Sequence, residues 1–125
     1  MKFILPLPPG INQTYGVKVE KAQKNEFALY KKRKVRDWEK EAGWEIKRQT
    51  RPKDRKFSLK HFRVDLMVYY SREIDIDAPV KVTLDLFEKM GIYKNDRQVK
   101  KLSIIKAQDI KYPRLEVDLS PYALD

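Results

Sequence analysis

The stretch Ser71-Arg72-Glu73-Ile74-Asp75-Ile76-Asp77-Ala78-Pro79-Val80-Lys81, with Asn95-Asp96-Arg97 beyond it, concentrates the side chains able to do chemistry. Asp75, Asp77 and Asp96 fall in two loops that bracket one expected helix, an arrangement that packing alone does not call for. Carboxylate oxygens suit a hard divalent cation, Mg2+ first and Mn2+ next. Such an ion orients a water, lowers its pKa and neutralises charge on a phosphodiester. Lys81 follows Asp77 by one helical turn, so its ammonium can offset negative charge that builds up on a phosphate in a transition state. Plainer readings stand beside these. An Asp-x-Asp before proline also caps a helix, and Asp77, Lys81 and Asp85, spaced four apart, also make ordinary surface ion pairs.

The rest of the composition narrows the chemistry. The 125-residue chain has the size of one compact domain. Its 28 Lys and Arg against 18 Asp and Glu give a net charge of +10, a surface field that attracts polyanions and makes nucleic acid the expected partner. There is no Cys and His61 is the only histidine, which removes disulfides, thiolate ligands and a structural zinc site. His61 is given no role. With 4 Gly in the chain, a loop that cradles nucleotide phosphates is unsupported, and no small-molecule cofactor is expected. No apolar run approaches the ~20 residues of a spanning helix, so no membrane association is expected. Met1 to Leu7 is broken by Pro6 and followed by Pro8 and Pro9, far short of a signal peptide's apolar core, and the expected location is the cytoplasm, at the nucleoid.

The elements that must position the carboxylates follow from periodicity. Lys2 to Leu5 reads as a strand stopped by prolines, which lack the N–H a ladder needs. The loop Pro8 to Gly16 carries Asn12, either a functional amide or an Asn shaping a local turn. Phe27-Ala28-Leu29-Tyr30 is taken as a short strand. From about Arg33 to Arg48, Val35, Trp38, Ala42 and Ile46 recur at spacings of three and four and predict a helix with one apolar stripe. Trp44 falls half a turn off that stripe, which suggests a subunit contact. Phe62 to Tyr70 alternates apolar and polar residues as a half-buried strand does. A helix from about Pro79 to Met90 stops at Gly91, with Val80, Leu84 and Phe87 toward the core. A strand over Val99 to Ala107 and a last one over Leu115 to Leu119 read as a hairpin joined through Lys111 and Pro113.

Two basic runs flank the first long helix. Lys31, Lys32, Arg33, Lys34 and Arg36 open it, where cations oppose the helix dipole and so suggest a purpose other than stability. Arg51, Lys53, Arg55 and Lys56 lie in the loop beyond it. These residues, with Arg72 beside the carboxylates, are the candidate phosphate contacts, although charge runs also occur simply as solvated helix ends.

The expected fold is α+β: a mixed sheet of about four or five strands with two helices packed against it, in a single domain. The strand-helix-strand unit from Phe62 to Ala107 reads as a parallel crossover, for which the right-handed form is the rule. Carboxylates, a basic surround and no softer ligand point to a metal-dependent nuclease. Two rivals stay open: a non-catalytic nucleic-acid-binding protein whose acids only cap and pair, and a metal-dependent ribonuclease using the same three Asp.

Leu5-Pro6-Leu7-Pro8-Pro9-Gly10-Ile11-Asn12, then Asp75-Ile76-Asp77-Ala78-Pro79-Val80-Lys81 with Asp85, then Gly91-Ile92-Tyr93-Lys94-Asn95-Asp96-Arg97-Gln98-Val99 resemble the RusA family of Holliday junction resolvases in order and spacing over most of the chain. The resemblance implies a homodimeric, Mg2+-dependent endodeoxyribonuclease that binds four-way junctions and nicks two opposed strands symmetrically. It implies catalytic and metal-binding roles for Asp75, Asp77 and Asp96, a catalytic role for Lys81, and a DNA contact for Asn12. The family commonly has Asn where Ala78 stands and often an acid where Asn95 stands; neither change removes an implied ligand. A helix of about a dozen residues is ~18 Å long, so loops at its two ends do not meet automatically: either the helix lies obliquely and Asp96 curls back to Asp75 and Asp77, which is the arrangement expected, or Asp96 reaches a site near the subunit boundary.

Overall fold

The computed structural model describes residues 1–9 and 21–123, without the side chains of 21–31. Four strands and two helices follow one another as β1 (Lys2–Leu5), α1 (Lys21–Gln49), β2 (Phe62–Tyr70), α2 (Val80–Lys89), β3 (Val99–Gln108) and β4 (Arg114–Pro121), with short helical turns at Pro52–Arg55 and Asp96–Gln98. Alternation decides the strands. Phe3 and Leu5, then Phe62, Val64, Leu66 and Val68, then Leu115, Val117 and Leu119 are buried, and their neighbours face outward. Helix α1 adds Trp38, Ala42 and Ile46 to the same core, and α2 adds Leu86 and Phe87. Each Val, Leu, Ile or Phe among them contributes roughly 1.5–3 kcal/mol on burial. Gly43 lets the helices touch, since a Cβ there would stand 3.1 Å from Met90 Sδ.

The sheet order is β1-β4-β2-β3, with β2 and β3 parallel and the other two contacts antiparallel. The expected hairpin between the last two strands does not form. β4 crosses over the end of β2 and inserts between β1 and β2. Burial explains the choice: Leu115, Val117 and Leu119 are covered as a central strand requires, whereas most of β3 is exposed or half-exposed, as suits an edge. The other edge, β1, is closed by a side chain. Gln49 accepts from Ile4 N and donates to Ile4 O, both at 3.1 Å, as a neighbouring strand would.

Phe27–Tyr30 is helical, not a strand, because α1 begins at Lys21. Residues 21–32 contain no Gly or Pro and consist mostly of good helix formers, four Lys and two Ala with single Gln, Glu and Leu, so helix propagates through them at little cost from the amphipathic part, whereas a lone four-residue strand would need a neighbour. Trp38, Ala42 and Ile46 take the buried stripe as expected, Val35 is half-buried, and Trp44 is 67% exposed on the opposite side. On α2 the fully buried residues are Thr83, Leu86 and Phe87; Val80 and Leu84 pack against the core only in part.

Candidate active site

The loop that carries Asp75 and Asp77 leaves the end of the sheet where the parallel pair β2 and β3 finishes, the usual place for a site in a strand-helix-strand unit, whereas Asp96 stands just before β3, whose start pairs with the start of β2. β2 runs out at Tyr70, and residues 71–79 form an exposed loop leading into α2. Two tight turns shape it: Ala78 N donates to Asp75 O and Val80 N to Asp77 O, both at 3.1 Å. The side chains of Asp75 and Asp77 are therefore exposed on consecutive bends. Pro79 takes the N-cap position of α2 and no side chain caps the helix, so the Asp77 carboxylate is not spent on capping.

Asp96 arrives by a different route. Gly91 adopts φ +79°, a left-handed conformation natural to glycine, and a Cβ there would meet Arg55 O at 2.8 Å. The chain then turns back along α2. Ile92 and Tyr93 are buried, and Tyr93 Oη donates to Leu84 O at 2.5 Å, one turn and more back from the helix end. Asp96 N donates to Glu88 Oε1 at 2.9 Å. Gln98 braces the segment by donating to Ser58 O at 2.7 Å and Lys60 O at 2.8 Å.

Lys81 links the two approaches. It leaves the first turn of α2, and its Nζ lies 2.9 Å from Asp96 Oδ2 and 3.0 Å from Asp85 Oδ1. Hydrogen bonds to Asp96 and then Asp85 hold this ammonium well above the usual lysine range, so it remains a cation at any working pH. Burial, with the negative charge of Asp96, Glu88 and Asp85 around it, likewise raises the Tyr93 hydroxyl and keeps it neutral. At the loop, Lys106 of β3 donates to Glu73 Oε1 and to Ile74 O. That bond lowers the Glu73 carboxyl and raises the Lys106 ammonium.

Asp96 thus comes back to Lys81 and Asp85, while Asp75 and Asp77 stay on the loop before the helix. Among the described residues no three His, Asp or Glu side chains stand together at metal-binding geometry. The candidate DNA contacts fall in separate groups along the chain. α1 runs opposite to β1, since Gln49 bonds Ile4 and Trp38 Nε1 donates to Pro6 O at 2.8 Å. Its N-terminal half carries Lys32, Arg33, Lys34 and Arg36, all exposed, with Lys32 and Arg36 lining a hollow beside Glu39 and Lys89, which bond at 2.9 Å at the last turn of α2; exposed Arg72 lies on the loop before that helix. Arg51, Lys53, Arg55 and Lys56 lie against the far end of α2, where Phe57 N donates to Gly91 O at 2.7 Å. Arg55 is further occupied, donating to Thr50 Oγ1 at 2.6 Å. Asn12 and the Lys31 side chain lie outside the described residues.

Sequence reasoning passed over Glu73, Glu88 and Lys106. No local signal marks them, because Lys106 meets partners 32 and 33 positions away and Glu88 meets Asp96 only through the return of the chain. No helix among the described residues is long and apolar enough to cross a membrane. No curated protein matches the chain. The model of the family described as Endodeoxyribonuclease RusA matches residues 6–120 of the 125, and on that extent, with the loop carboxylates and Lys81 at one end of a mixed α+β sheet, the chain belongs to the RusA family of Holliday-junction-resolving endodeoxyribonucleases.

Proposed function

We propose that the protein is a Mg2+-dependent, structure-selective endodeoxyribonuclease that resolves four-way DNA junctions by paired symmetric nicks, acting as a homodimer in recombination and repair. The observation that carries this reading is the return of Asp96 along α2, where the Lys81 ammonium, rooted in the first turn just after the Asp75–Asp77 loop, bonds it at 2.9 Å. Asp75, Asp77 and Asp96 would hold the ion. Their oxygen-only chemistry fits Mg2+, with Mn2+ as a substitute, and offers nothing to a thiophilic metal. When bound, the ion supplies an activated water and charge neutralisation at the phosphodiester.

The chain's own groups do the rest. Lys81, a cation bonded to Asp96 and Asp85, stabilises negative charge on the phosphate. Arg72 and the exposed run Lys32, Arg33, Lys34 and Arg36 draw in the DNA backbone, joined in this reading by Lys31 and Asn12. Exposed Trp44 supports a subunit contact, since a large aromatic set in the solvent face of a helix gains most from being covered. The reading carries a cytoplasmic location with it.

The test is cleavage titrated with Mg2+ on a synthetic four-way junction, a linear duplex and RNA, repeated with Asp77→Asn. Junction cutting that disappears in the variant is the expected result. Binding without Asp77-dependent cutting would establish a non-catalytic nucleic-acid-binding protein instead, and preferential cutting of RNA a ribonuclease. Sedimentation of the free protein checks the dimer.

A further inference from the structure

Lys106 occupies a position that a strand seldom gives to a charge. Its register partner on β2 is Val68, fully buried, so Lys106 leaves the sheet on the face that carries the helices. A cation there needs partners, because desolvating an unpaired charge is costly. It finds them in the loop before α2. Nζ donates to Glu73 Oε1 and to the Ile74 carbonyl oxygen, the latter at 2.5 Å, and lies 5.3 Å from the centroid of the Tyr70 ring. Ile74 itself packs against the core. Two further bonds close the seam between the ends of the parallel strands: Asp109 N to Tyr70 O at 2.9 Å and Gln108 Nε2 to Ser71 O at 3.4 Å. The last turn of β3 therefore grips residues 70–74, and Asp75 is the first residue beyond the grip.

We propose that Lys106 is the positioning residue of the Asp75–Asp77 loop, fixing through its bonds to Glu73 and Ile74 where the two carboxylates are presented to the divalent ion. The inference rests on the metal-dependent reading above. An exposed loop without a side-chain cap visits many arrangements, and an ion that must order it gives up affinity in doing so. A grip one residue upstream removes most of that freedom beforehand, as groups behind metal ligands do generally. Lys81 has no part in this, since its bonds go to Asp85 and Asp96.

The experiment compares wild type, Lys106→Met, Lys106→Arg and Glu73→Gln in Mn2+ binding by calorimetry without DNA, and in Mg2+-titrated junction cleavage. Lys106→Met keeps the aliphatic stem and loses charge and donors; it should raise the Kd for Mn2+ and the half-saturating Mg2+ by about tenfold or more, with kcat at saturating Mg2+ little changed. Lys106→Arg, which can still reach both acceptors, should recover most of the loss. Glu73→Gln alters an exposed side chain and should shift both quantities by about threefold, which keeps the test intact if Lys106→Met fails to fold by circular dichroism. A folded Lys106→Met with wild-type metal dependence overturns the inference, as does Lys106→Arg no better than Met, or, should Met not fold, an unshifted Glu73→Gln. Wild-type protein that neither binds Mn2+ nor cuts overturns the catalytic reading as well. Wild type that binds and cuts in an Asp77-dependent way, alongside a Met variant identical to it, overturns this inference alone.

Discussion

The segments on either side of α2 do similar jobs by opposite means. The exit, residues 90–98, is carried by the core: Gly91 reverses the chain, Ile92 and Tyr93 are buried, and hydrogen bonds from Tyr93, Gln98 and the Asp96 amide fix the rest. The approach, residues 71–79, is exposed over most of its length and is held chiefly from β3 by Lys106. Asp96 is thereby set in place by folding itself, whereas Asp75 and Asp77 ride on a loop that Lys106 bonds at Glu73 and Ile74 and that, in the proposed mechanism, the ion also orders. Rigidity on one side and adjustability on the other suit the proposed centre, which would admit both a metal and a bulky branched substrate.

The comparison can be broken most sharply at the loop. Asp77→Asn should lower junction cleavage by about a hundredfold or more while the thermal melt stays unchanged, because the carboxylate is exposed and caps nothing. Unimpaired cutting would remove the loop from the mechanism. On the exit side the effect should appear as stability. Gly91→Ala forces a Cβ into the left-handed region and against Arg55 O, and should cost about 2 kcal/mol in a denaturant titration. An unchanged midpoint would mean that the turn back along α2 is not fixed by this residue.

The two basic runs extend the contrast to DNA. Neutralising Arg33 and Arg36, on the N-terminal half of α1, should weaken junction binding and reduce the slope of log affinity against log salt by about one per lost phosphate contact. The same change at Lys53 and Lys56, at the far end of α2, should leave the slope nearly as it was. Equal effects would show that DNA covers both runs. Tyr93→Phe removes only the bond to Leu84 O and should lower stability by about 1 kcal/mol without moving the metal dependence.

The smallest expected effect is on acid stability. Asp65 is held below the usual carboxylate range by a hydrogen bond from Ser103, and Asp109 by the backbone N–H of Tyr112. A carboxylate with a lowered folded pKa stabilises the fold above its unfolded value and loses that contribution as pH falls through the folded one. The melting temperature should therefore hold from neutral pH down to about pH 4 and decline below it. In Ser103→Ala the decline should be shallower, as read by melts at stepped pH.

What local sequence decides was legible here because local physics decides it. The alternation of Phe62 to Tyr70, the stripe of Trp38, Ala42 and Ile46, and Gly91 just past a helix all act through neighbours a few residues away. The family resemblance likewise rested on local spacing, that of Asp75, Asp77, Lys81 and Asp96 in the chain. Where the unaided sequence misled, the deciding interaction was distant or cooperative. Phe27–Tyr30 joined a helix propagated from its neighbour. β4 abandoned the adjacent strand for a central place that buries Leu115, Val117 and Leu119. Only the tertiary structure could bring Lys106 under the loop and Asp96 back to Lys81, since contacts across 32 and 15 positions depend on how the sheet and α2 pack, and no local pattern records that.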